Sequence, residues 1–313
     1  MGQVAVIVTV LNEKDTVGGL VSSLKKQTLR PARVVIVDGG SIDGTFALLQ
    51  KQALTWPVLK VYLHPGNRSQ GRNFGVSKTG ESLIAFTDAG CLPDQKWLAE
   101  LVRPFTKPSV TVVSGYYRGQ ASTVFTKCLI PYVLVMPDKA DKTEFFPSSR
   151  SMALRRKVWK QSGGFNPKVD PSEDFELAHR LKNLGFYFTF TPKAQVVWIP
   201  RQDLSSAAWM FLRFAFGDVQ AGILRPKVKF LALRYMLFFY LFFLSLQIPW
   251  LFIPLIGLAL VYLVWAVHKS YRYVNNRRAF YWLPVIQITA DVTVLFGTIM
   301  GLLAYQKPKA QKP

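Results

Sequence analysis

The amino-acid sequence predicts an α/β protein with a mostly parallel central sheet, followed by transmembrane helices near the carboxyl end. Three observations lead to this fold class. Short apolar runs alternate with amphipathic stretches, an uncharged run of 33 residues extends from Tyr235 to Val267, and hydrophobic residues make up 50% of the chain. Such a chain is not intrinsically disordered, because disordered chains contain too few apolar residues to form a buried core. Its 313 residues are enough for one large domain and an additional membrane segment.

The predicted elements of the first hundred residues alternate between strand and helix. The first strand, over 4–10, is a Val- and Ile-rich run of the type that is buried on both faces of a parallel sheet. Further strands are predicted at 33–37, 59–63 and 82–87, and helices at 16–26, 45–52, 69–77 and 95–105. Strands that alternate with helices of about ten residues indicate βαβ units. We therefore expect helices to cover both faces of the sheet.

Polar side chains stand at the carboxyl ends of the predicted strands. Asn12 and Glu13 follow the first strand, Asp38 ends the second, Arg68 comes shortly after the third, and Asp88 ends the fourth. Ligands of open α/β sheets bind beyond these strand ends. Each residue taken alone could be a turn former or a helix cap. Four successive strand ends with carboxylates or bases indicate a binding site instead.

Ordered motifs in residues 3–200 resemble those of family 2 glycosyltransferases. The motifs are Val8-Thr9-Val10-Leu11-Asn12-Glu13, Val35-Ile36-Val37-Asp38-Gly39-Gly40-Ser41-Ile42-Asp43-Gly44-Thr45, Gly71-Arg72-Asn73-Phe74-Gly75, Phe86-Thr87-Asp88-Ala89-Gly90, Gly163-Gly164-Phe165 and Ser172-Glu173-Asp174-Phe175-Glu176-Leu177. Each motif is weak alone, and their order makes the match specific. The resemblance implies a GT-A-type fold that binds a nucleotide diphosphosugar and transfers its sugar to an acceptor.

The resemblance also implies a nucleotide-sugar site that contains a metal ion. The donor-binding residues would be Thr9, Asn12, Glu13, Asp38, Gly40, Arg68, Arg72, Asn73 and Asp88. Asp88 would hold Mg²⁺ or Mn²⁺, which stabilises the charge that develops on the leaving pyrophosphate. The family commonly has Asp-x-Asp here, whereas this chain has Gly90 in the second acidic position. Arg68 and Arg72 carry guanidinium groups that suit phosphate oxygens, and the alternative is that they are solvated or structural.

A second carboxylate site is expected about 85 residues further along the chain, at 173–174. Direct displacement at the anomeric carbon requires a carboxylate that removes the proton of the acceptor hydroxyl. The resemblance assigns this role to Asp174, with Glu173 in support, at the start of a predicted helix over 173–183. A structural alternative is also open, in which Ser172 caps that helix and both acids interact favourably with the helix dipole.

Residues 200–229 mix aromatic and basic side chains, which is typical of a segment that lies in a membrane interface. Arg213 is a candidate there for the phosphate of a lipid-linked acceptor, and Gly164 is a further candidate acceptor residue. Relatives that polymerise and export sugar chains carry Gln-x-x-Arg-Trp near this point. This chain has Met210-Phe211-Leu212-Arg213-Phe214, which disfavours a processive synthase.

Three apolar segments, 232–248, 250–268 and 283–304, are predicted to be transmembrane helices, and Asp291 interrupts the last. Bases flank the first two segments while the turn between them is uncharged, so the positive-inside rule places the catalytic half on the cytoplasmic side of the cell membrane. The alternatives are a buried helical hairpin in a soluble core and a re-entrant third segment. The predicted organisation is a domain over 1–200, an interfacial segment over 201–230, membrane helices over 231–304 and a basic tail over 305–313.

The predicted function is that of an integral membrane, inverting glycosyltransferase whose acceptor is a lipid-linked or cell-envelope glycan. The alternative is a non-catalytic, membrane-anchored nucleotide-sugar-binding protein, since the second metal carboxylate is missing. A net charge of +21, from 39 Lys and Arg against 18 Asp and Glu, would also suit nucleic acid. No nucleic-acid partner is expected, because the sequence lacks a recognisable nucleic-acid-binding motif and part of the charge flanks the membrane segments.

Overall fold

The computed structural model describes residues 2–141 and 145–304. The predicted basic tail over 305–313 lies outside the described residues. The chain forms two compact units. One consists of Met1–Gln120 and Leu134–Ile199, and the other of Ala121–Val133 and Pro200–Pro313.

Within the described residues, the first unit contains one sheet of eight strands. In chain order the strands are β1 (Val4–Val10), β2 (Arg33–Asp38), β3 (Leu59–Leu63), β4 (Leu83–Phe86), β5 (Cys91–Pro93), β6 (Val112–Gly119), β7 (Met152–Arg155) and β8 (Phe188–Trp198). Across the sheet their order is β3-β2-β1-β4-β7-β6-β8-β5. Because β1 lies inside the sheet, its Val- and Ile-rich run is buried on both faces.

The sheet has a parallel half that contains the amino-terminal strands. β2, β1 and β4 are parallel neighbours and β3 extends them, whereas β7 lies antiparallel to both β4 and β6. Four of the seven strand pairings among the described residues are parallel, which confirms the predicted mostly parallel sheet. The sequence pattern did not predict β5 to β8.

Helices connect these strands. Up to residue 183 they are α1 (Lys14–Lys25), α2 (Thr45–Leu54), α3 (Arg68–Ser77), α4 (Trp97–Val102), α5 (Val124–Val133), α6 (Arg156–Ser162) and α7 (Glu173–Asn183). The predicted alternation of the first hundred residues is confirmed. One helix, predicted over 95–105, is shorter than expected. Helix α4 ends at Val102 and a 3₁₀ turn follows, because Pro104 has no N–H to donate inside an α-helix.

Helix α3 lies close to strands β1 and β2 because it has glycines where it faces them. A Cβ atom at Gly71 would lie 2.8 Å from Thr9 Cγ2, and one at Gly75 would lie 2.8 Å from Ile7 Cγ2. Side chains at these two positions would push the helix away from the sheet. The residue after Gly71 is Arg72, whose side chain is buried in this packed region.

The second unit contains the long helices α8 (Leu204–Gln220), α9 (Pro226–Gln247), α10 (Phe252–Val274) and α11 (Ala279–Ala304). Three helical stretches within the described residues are long and apolar enough to cross a membrane, namely Pro226–Gln247, Pro249–Val274 and Ala279–Ala304. The expected C-terminal membrane helices are therefore confirmed. Helix α11 is continuous through Asp291, and its 26 residues measure about 39 Å at about 1.5 Å per residue.

Helix α8, which falls in the predicted interfacial segment, packs tightly along α11. A Cβ atom at Gly297 would clash with the carbonyl oxygen of Leu212, and one at Gly301 would lie 2.8 Å from Val219 Cβ. Small residues on membrane helices permit such close approach. The two glycines of α11 therefore form the surface on which α8 rests.

Asp291 lies at the centre of a polar network that joins the three apolar helices. Its carboxylate accepts hydrogen bonds from Arg234 Nη2 at 3.0 Å, from the Tyr235 hydroxyl at 3.1 Å and from the Tyr262 hydroxyl, and it accepts a fourth from Gln287 Nε2 at 2.9 Å. A carboxylate in a membrane helix is costly unless it is paired. Asp291, which interrupts the apolar pattern in the sequence, therefore links α9, α10 and α11.

We expect the Asp291→Ala substitution to destabilise this helical unit. It removes three hydrogen bonds between helices, and each contributes about 0.6 kcal/mol in a membrane, so the expected loss is on the order of 2 kcal/mol. The thermal unfolding midpoint of the detergent-solubilised protein measures this loss. The matched control is Thr293→Val, because the Thr293 hydroxyl donates to the carbonyl oxygen of Thr289 within its own helix. Equal midpoints for the two variants would contradict the role of Asp291.

Candidate active site

The carboxyl ends of the parallel strands meet at one edge of the sheet, as the sequence predicted. Strand β1 pairs with β2 so that Val10 stands opposite Asp38, and it pairs with β4 so that Ile7 stands opposite Phe86. Asp88 follows two residues after Phe86. The residues expected to bind the donor therefore project from adjacent strand ends and from the loops that follow them.

Asp38 has one carboxylate oxygen that is committed to its own turn and one that is unpaired. Its Oδ1 accepts the backbone N–H groups of Gly40 at 2.8 Å and Ser41 at 2.6 Å, and Gly40 adopts a φ of 106°, which favours glycine. Its Oδ2 is buried and has no hydrogen-bond partner among the described residues. A buried acceptor without a donor is unfavourable, so this oxygen is suited to accept an N–H group from a ligand.

The loops after β1 and β2 are fastened to each other. Asn12 donates its backbone N–H to Ser41 Oγ at 2.8 Å and accepts the backbone N–H of Ile42 through its side-chain oxygen at 3.0 Å. Glu13 donates its backbone N–H to Thr45 Oγ1 at 2.9 Å, while its carboxylate accepts from Thr16. Asn12 therefore fixes the shape of this edge. The loop beside Asp38 is held in place before any ligand arrives.

Arg72 connects three parts of the first unit through one guanidinium group. Its Nη1 donates to the carboxylate of Glu173, the first residue of α7. Its Nη2 donates to Asp88 Oδ1 at 2.8 Å and to Ser149 Oγ at 3.0 Å. Arg72 is 1% exposed, so these ion pairs are shielded from water. This is the arrangement of a structural arginine, which was one of the two alternatives for this residue.

The charges of this cluster stabilise one another. Burial alone would raise the pKa of Asp88, but the guanidinium groups of Arg72, Arg150 and Arg68 outweigh it and hold that pKa below its ordinary value. Burial raises the pKa of Glu173 above its ordinary value even though Arg72 opposes the effect. Asp88 is therefore ionised at neutral pH, and Glu173 depends on Arg72 for its charge.

Asp174 is half-buried and held by hydrogen bonds on both oxygens. Oδ2 accepts from Ser148 Oγ at 2.8 Å and from the Ser149 backbone N–H at 3.1 Å, and Oδ1 accepts from the Phe175 backbone N–H at 2.8 Å. The Ser149 hydroxyl also lies 3.4 Å from Asp174 Oδ2 and 3.4 Å from Asp88 Oδ2. Ser149 thus brings Asp174 and Asp88 to either side of a single hydroxyl group.

The helix-capping alternative for this region is met only in part, since both acids lie in the first turn of α7. Ser172 has a φ of 75°, and within the described part of the chain its side chain makes no capping hydrogen bond to α7. The first two acids of α7 instead point into the cluster, where Glu173 pairs with Arg72 and Asp174 bonds to the serine loop. Both acids therefore take part in the cluster, and their roles in catalysis stay a prediction.

The remaining predicted site residues lie around this cluster or outside it. Asn73 pairs its amide group with the backbone of Phe165, at 2.8 Å and 2.9 Å, and a Cβ atom at Gly164 would lie 2.8 Å from Asn73 Oδ1. Both residues therefore join α3 to the loop before α7. Arg68 is exposed and lies 3.9 Å from Asp170. Arg213 is half-buried on α8, in the second unit.

Two residues of the cluster, Ser149 and Arg150, were missed by the sequence analysis. They follow the sequence Phe145-Phe146-Pro147-Ser148, which has neither a periodic pattern nor a family motif. Arg150 lies over the rings of Tyr117, at 5.4 Å, and Trp198, at 5.9 Å. The sole signal in the sequence was an arginine within an otherwise apolar and hydroxylated segment, which is too weak to assign a role.

Asp88 fits a divalent ion that arrives with a diphosphate. Among the described residues, no group of three or more His, Cys, Asp or Glu side chains suits a metal ion. However, the Asp88 side chain is 31% exposed, and Mg²⁺ usually binds through one or two carboxylates together with water and substrate phosphates. A Cβ atom at Gly90 would meet nothing within 4 Å, so a second carboxylate is missing although there is space for it.

An α/β sheet with polar strand ends and a nearby carboxylate cluster is the arrangement that the resemblance predicted for a GT-A-type transferase. The sequence model described as Glycosyl transferase family 2 matches residues 5–163, which is just over half of the chain. This chain belongs to glycosyl transferase family 2 and is a glycosyltransferase. The resemblance that the sequence motifs indicated is thereby confirmed.

Two relatives show how far the similarity extends. The succinoglycan biosynthesis protein ExoA of Rhizobium meliloti is 27% identical over 224 residues, which are 68% of this chain and 68% of ExoA. The pre-mycofactocin glycosyltransferase of Mycobacterium tuberculosis is 25% identical over 234 residues, which are 70% of this chain and 47% of that protein. The match thus spans about half the length of the second relative.

A solved structure with the same fold is that of the mannosyltransferase PcManGT from Pyrobaculum calidifontis, in complex with GDP-Man and Mn²⁺. It matches with a TM-score of 0.63 and 21% identity, over 97% of this chain and 88% of that chain. At this identity the likeness concerns the fold, and the predicted GT-A-type fold is confirmed.

We expect Arg72→Met to destabilise the first unit strongly. The variant leaves the buried carboxylate of Glu173 without its partner, and breaking such a pair costs about 3–5 kcal/mol. Without Arg72 the pKa of Glu173 rises further, and a group whose pKa is raised in the folded state favours folding in its protonated form. The loss should therefore be largest near neutral pH and smaller in acid.

Thermal unfolding of the wild-type protein and of Arg72→Met across a pH series measures this pH-dependent loss of stability. The control is Arg68→Met, because Arg68 is exposed and lies 3.9 Å from its acidic neighbour, and it should change the midpoint little. A loss of similar size in both variants, or one that does not depend on pH, would show that the ion pair with Glu173 is not responsible.

Proposed function

We propose that this chain is a membrane-anchored inverting glycosyltransferase in which Asp174 is the catalytic base. The observation that carries the proposal is the cluster around Ser149, because it places a half-buried carboxylate, Asp174, beside Asp88 at the carboxyl edge of the sheet. One carboxylate is thereby available for the acceptor side and one for the donor side of the same reaction centre.

The donor side is supported by Asp38 and its turn. The unpaired Asp38 Oδ2 can accept a hydrogen bond from an N–H group of the nucleotide base, and Gly40 leaves the backbone open to close approach. Glu13 lies in the adjoining loop and is proposed to contact the base or the ribose. Thr9, Asn12 and Asn73 support this site through the packing and hydrogen bonds that hold its loops.

The leaving diphosphate requires positive charge. A divalent ion held by Asp88 would supply it, and the complex of PcManGT with GDP-Man and Mn²⁺ supports such an ion in a protein of this fold. The exposed Arg68 carries a guanidinium group that can contribute further charge. Arg72 acts differently, because its two terminal nitrogens donate to Glu173, Asp88 and Ser149, so we assign it the role of positioning Asp88.

Asp174 is suited to accept a proton from the acceptor hydroxyl. In a direct displacement, the acceptor oxygen forms a bond to the anomeric carbon on the face opposite the diphosphate. The bond to the diphosphate breaks and its electron pair leaves with the diphosphate, while the acceptor proton passes to Asp174. Hydrogen bonds from Ser148 and from the Ser149 backbone hold the Asp174 carboxylate in a fixed orientation. Glu173 supports the base indirectly by pairing with Arg72.

The acceptor and the cellular location complete the proposal. The three apolar helices favour an acceptor at a membrane, and ExoA is named for the biosynthesis of a polysaccharide, so a lipid-linked or cell-envelope glycan is proposed. Basic residues at the ends of the apolar helices favour a catalytic half on the cytoplasmic side. Contact of Arg213 and Gly164 with the acceptor stays a prediction, as does an interfacial role for residues 201–230.

We expect Asp174→Asn to abolish transfer and to leave donor binding intact. General-base catalysis contributes about 10²- to 10⁴-fold, so the transfer rate should fall by at least that order. Transfer of labelled sugar from a panel of nucleotide sugars to membrane lipids measures the rate, and thermal protection by the same donors measures binding. The control is Glu176→Gln on the same helix, because Glu176 pairs with Arg180 and not with the cluster. Normal turnover in Asp174→Asn would exclude it as the base.

The non-catalytic alternative is favoured by one observation, the absence of a side chain at Gly90. This alternative predicts that nucleotide sugars raise the thermal unfolding midpoint of the wild-type protein. It also predicts that the protein neither hydrolyses nor transfers the sugar in the presence of Mg²⁺ or Mn²⁺. Transfer that is lost in Asp88→Ala would exclude this alternative.

A further inference from the structure

Arg150 is a cation whose hydrogen-bonding groups are unused. It is half-buried, and its guanidinium forms neither a hydrogen bond nor an ion pair with any side chain or backbone group of the described residues. Partial burial of a cation whose donors have no direct acceptor is unfavourable, even though the Asp88 carboxylate interacts with it electrostatically. Arg72 in the same region uses both terminal nitrogens of its guanidinium in ion pairs and Arg68 lies near Asp170, so Arg150 differs from both in having no such direct partner.

Two aromatic rings lie against the guanidinium group of Arg150. The guanidinium lies over the faces of Tyr117 and Trp198, at 5.4 Å and 5.9 Å from the ring centres. All N–H donors of a guanidinium lie in the plane of the group, so contact with these rings leaves its N–H edge for acceptors in that plane. A pair of oxygens on one phosphorus atom fits that edge in a bidentate manner.

Arg150 also lies beside the reacting carboxylates. The preceding residue, Ser149, bonds to Asp174 and contacts Asp88. Arg150 lies over the ring of Trp198, and Trp198 stands opposite Cys91 in the pairing of β5 with β8. The next residue, Ile199, donates its backbone N–H to the carbonyl oxygen of Gly90 at 3.1 Å. The cation therefore stands next to the turn from Asp88 to Cys91, where the glycine leaves space for a side chain.

We propose that Arg150 binds phosphate oxygens in the active site. Its positive charge lies beside Gly90, the position at which the family commonly has a second carboxylate. In a site with Asp at position 90, the guanidinium would be neutralised by the protein. With glycine there, its charge is available to an anionic ligand. The inference rests on the proposed function, since the phosphate belongs either to the donor diphosphate or to a lipid-linked acceptor.

Three variants of the full-length protein in detergent or nanodiscs test the proposal. Arg150→Met removes the donors, and Arg150→Lys keeps the charge without the bidentate edge. Arg118→Met is the control, because Arg118 is on the same stretch of β6 as Tyr117 but points to the other face, where it is exposed and lies 3.4 Å from Asp94. The probes are UDP, GDP, the nucleosides uridine and guanosine, and farnesyl phosphate, and binding is measured with EDTA present.

If the phosphate is that of the donor, Arg150→Met should weaken nucleoside diphosphate binding by at least tenfold and leave nucleoside binding unchanged. If it is that of the acceptor, binding of farnesyl phosphate should weaken by that factor while UDP and GDP bind as before. Arg150→Lys should be intermediate in either case. Binding of all phosphate probes within twofold of wild type in Arg150→Met would overturn the proposal.

Gly90→Asp provides a second test that leaves Arg150 in place. Its carboxylate would give the cation a partner within the protein, so phosphate binding in EDTA should fall about as much as in Arg150→Met, and unchanged binding would count against the proposal. Failure of the proposed function is distinguishable. It would appear as a wild-type protein without sugar transfer, whereas failure of the inference alone would appear as transfer and phosphate binding that do not respond to Arg150.

Discussion

The ion pairs of the buried Arg72 guanidinium are the interaction on which the active site depends. Arg72 comes from α3, Asp88 from the end of β4 and Glu173 from the start of α7, so three distant parts of the chain meet at one charge. Arg72 and Glu173 are both buried, and a buried ion without a partner costs several kcal/mol, so neither group is stable there without the other. Through Ser149, the same charge also determines where Asp174 lies.

The parts of the site that could be predicted from the sequence are those encoded locally. The alternation of strands and helices located Asp38 and Asp88, because strand ends follow directly from βαβ units. The order of the motifs indicated Asp174 as the candidate base, which stays a prediction. The role of Arg72 could not be predicted, since its partner Glu173 is 101 residues away. Arg150 was missed because no periodicity marks its segment.

The role of Asp291 in the apolar helices also depends on partners that are distant in the sequence. Hydropathy located the three apolar helices, but it registers Asp291 as an interruption of the last one. The partners that make this residue acceptable, Arg234, Tyr235 and Tyr262, come from two other helices. A hydropathy calculation over one segment does not include these partners. Asp291 therefore appears only as a charged interruption of one apolar helix, although it joins three helices.

The glycines at positions 71 and 75 connect this packing to the electrostatics of the site. They set how deeply α3 lies against β1, and α3 carries Arg72. A methyl group at either glycine would lift the helix by a fraction of an ångström, and at short range in a buried site such a displacement changes ion-pair energies appreciably. The charge balance around Asp88 and Glu173 is therefore adjustable through the contact between α3 and the sheet. Residues that pack α3 against the sheet can thus tune the charges of the candidate site without carrying any charge themselves.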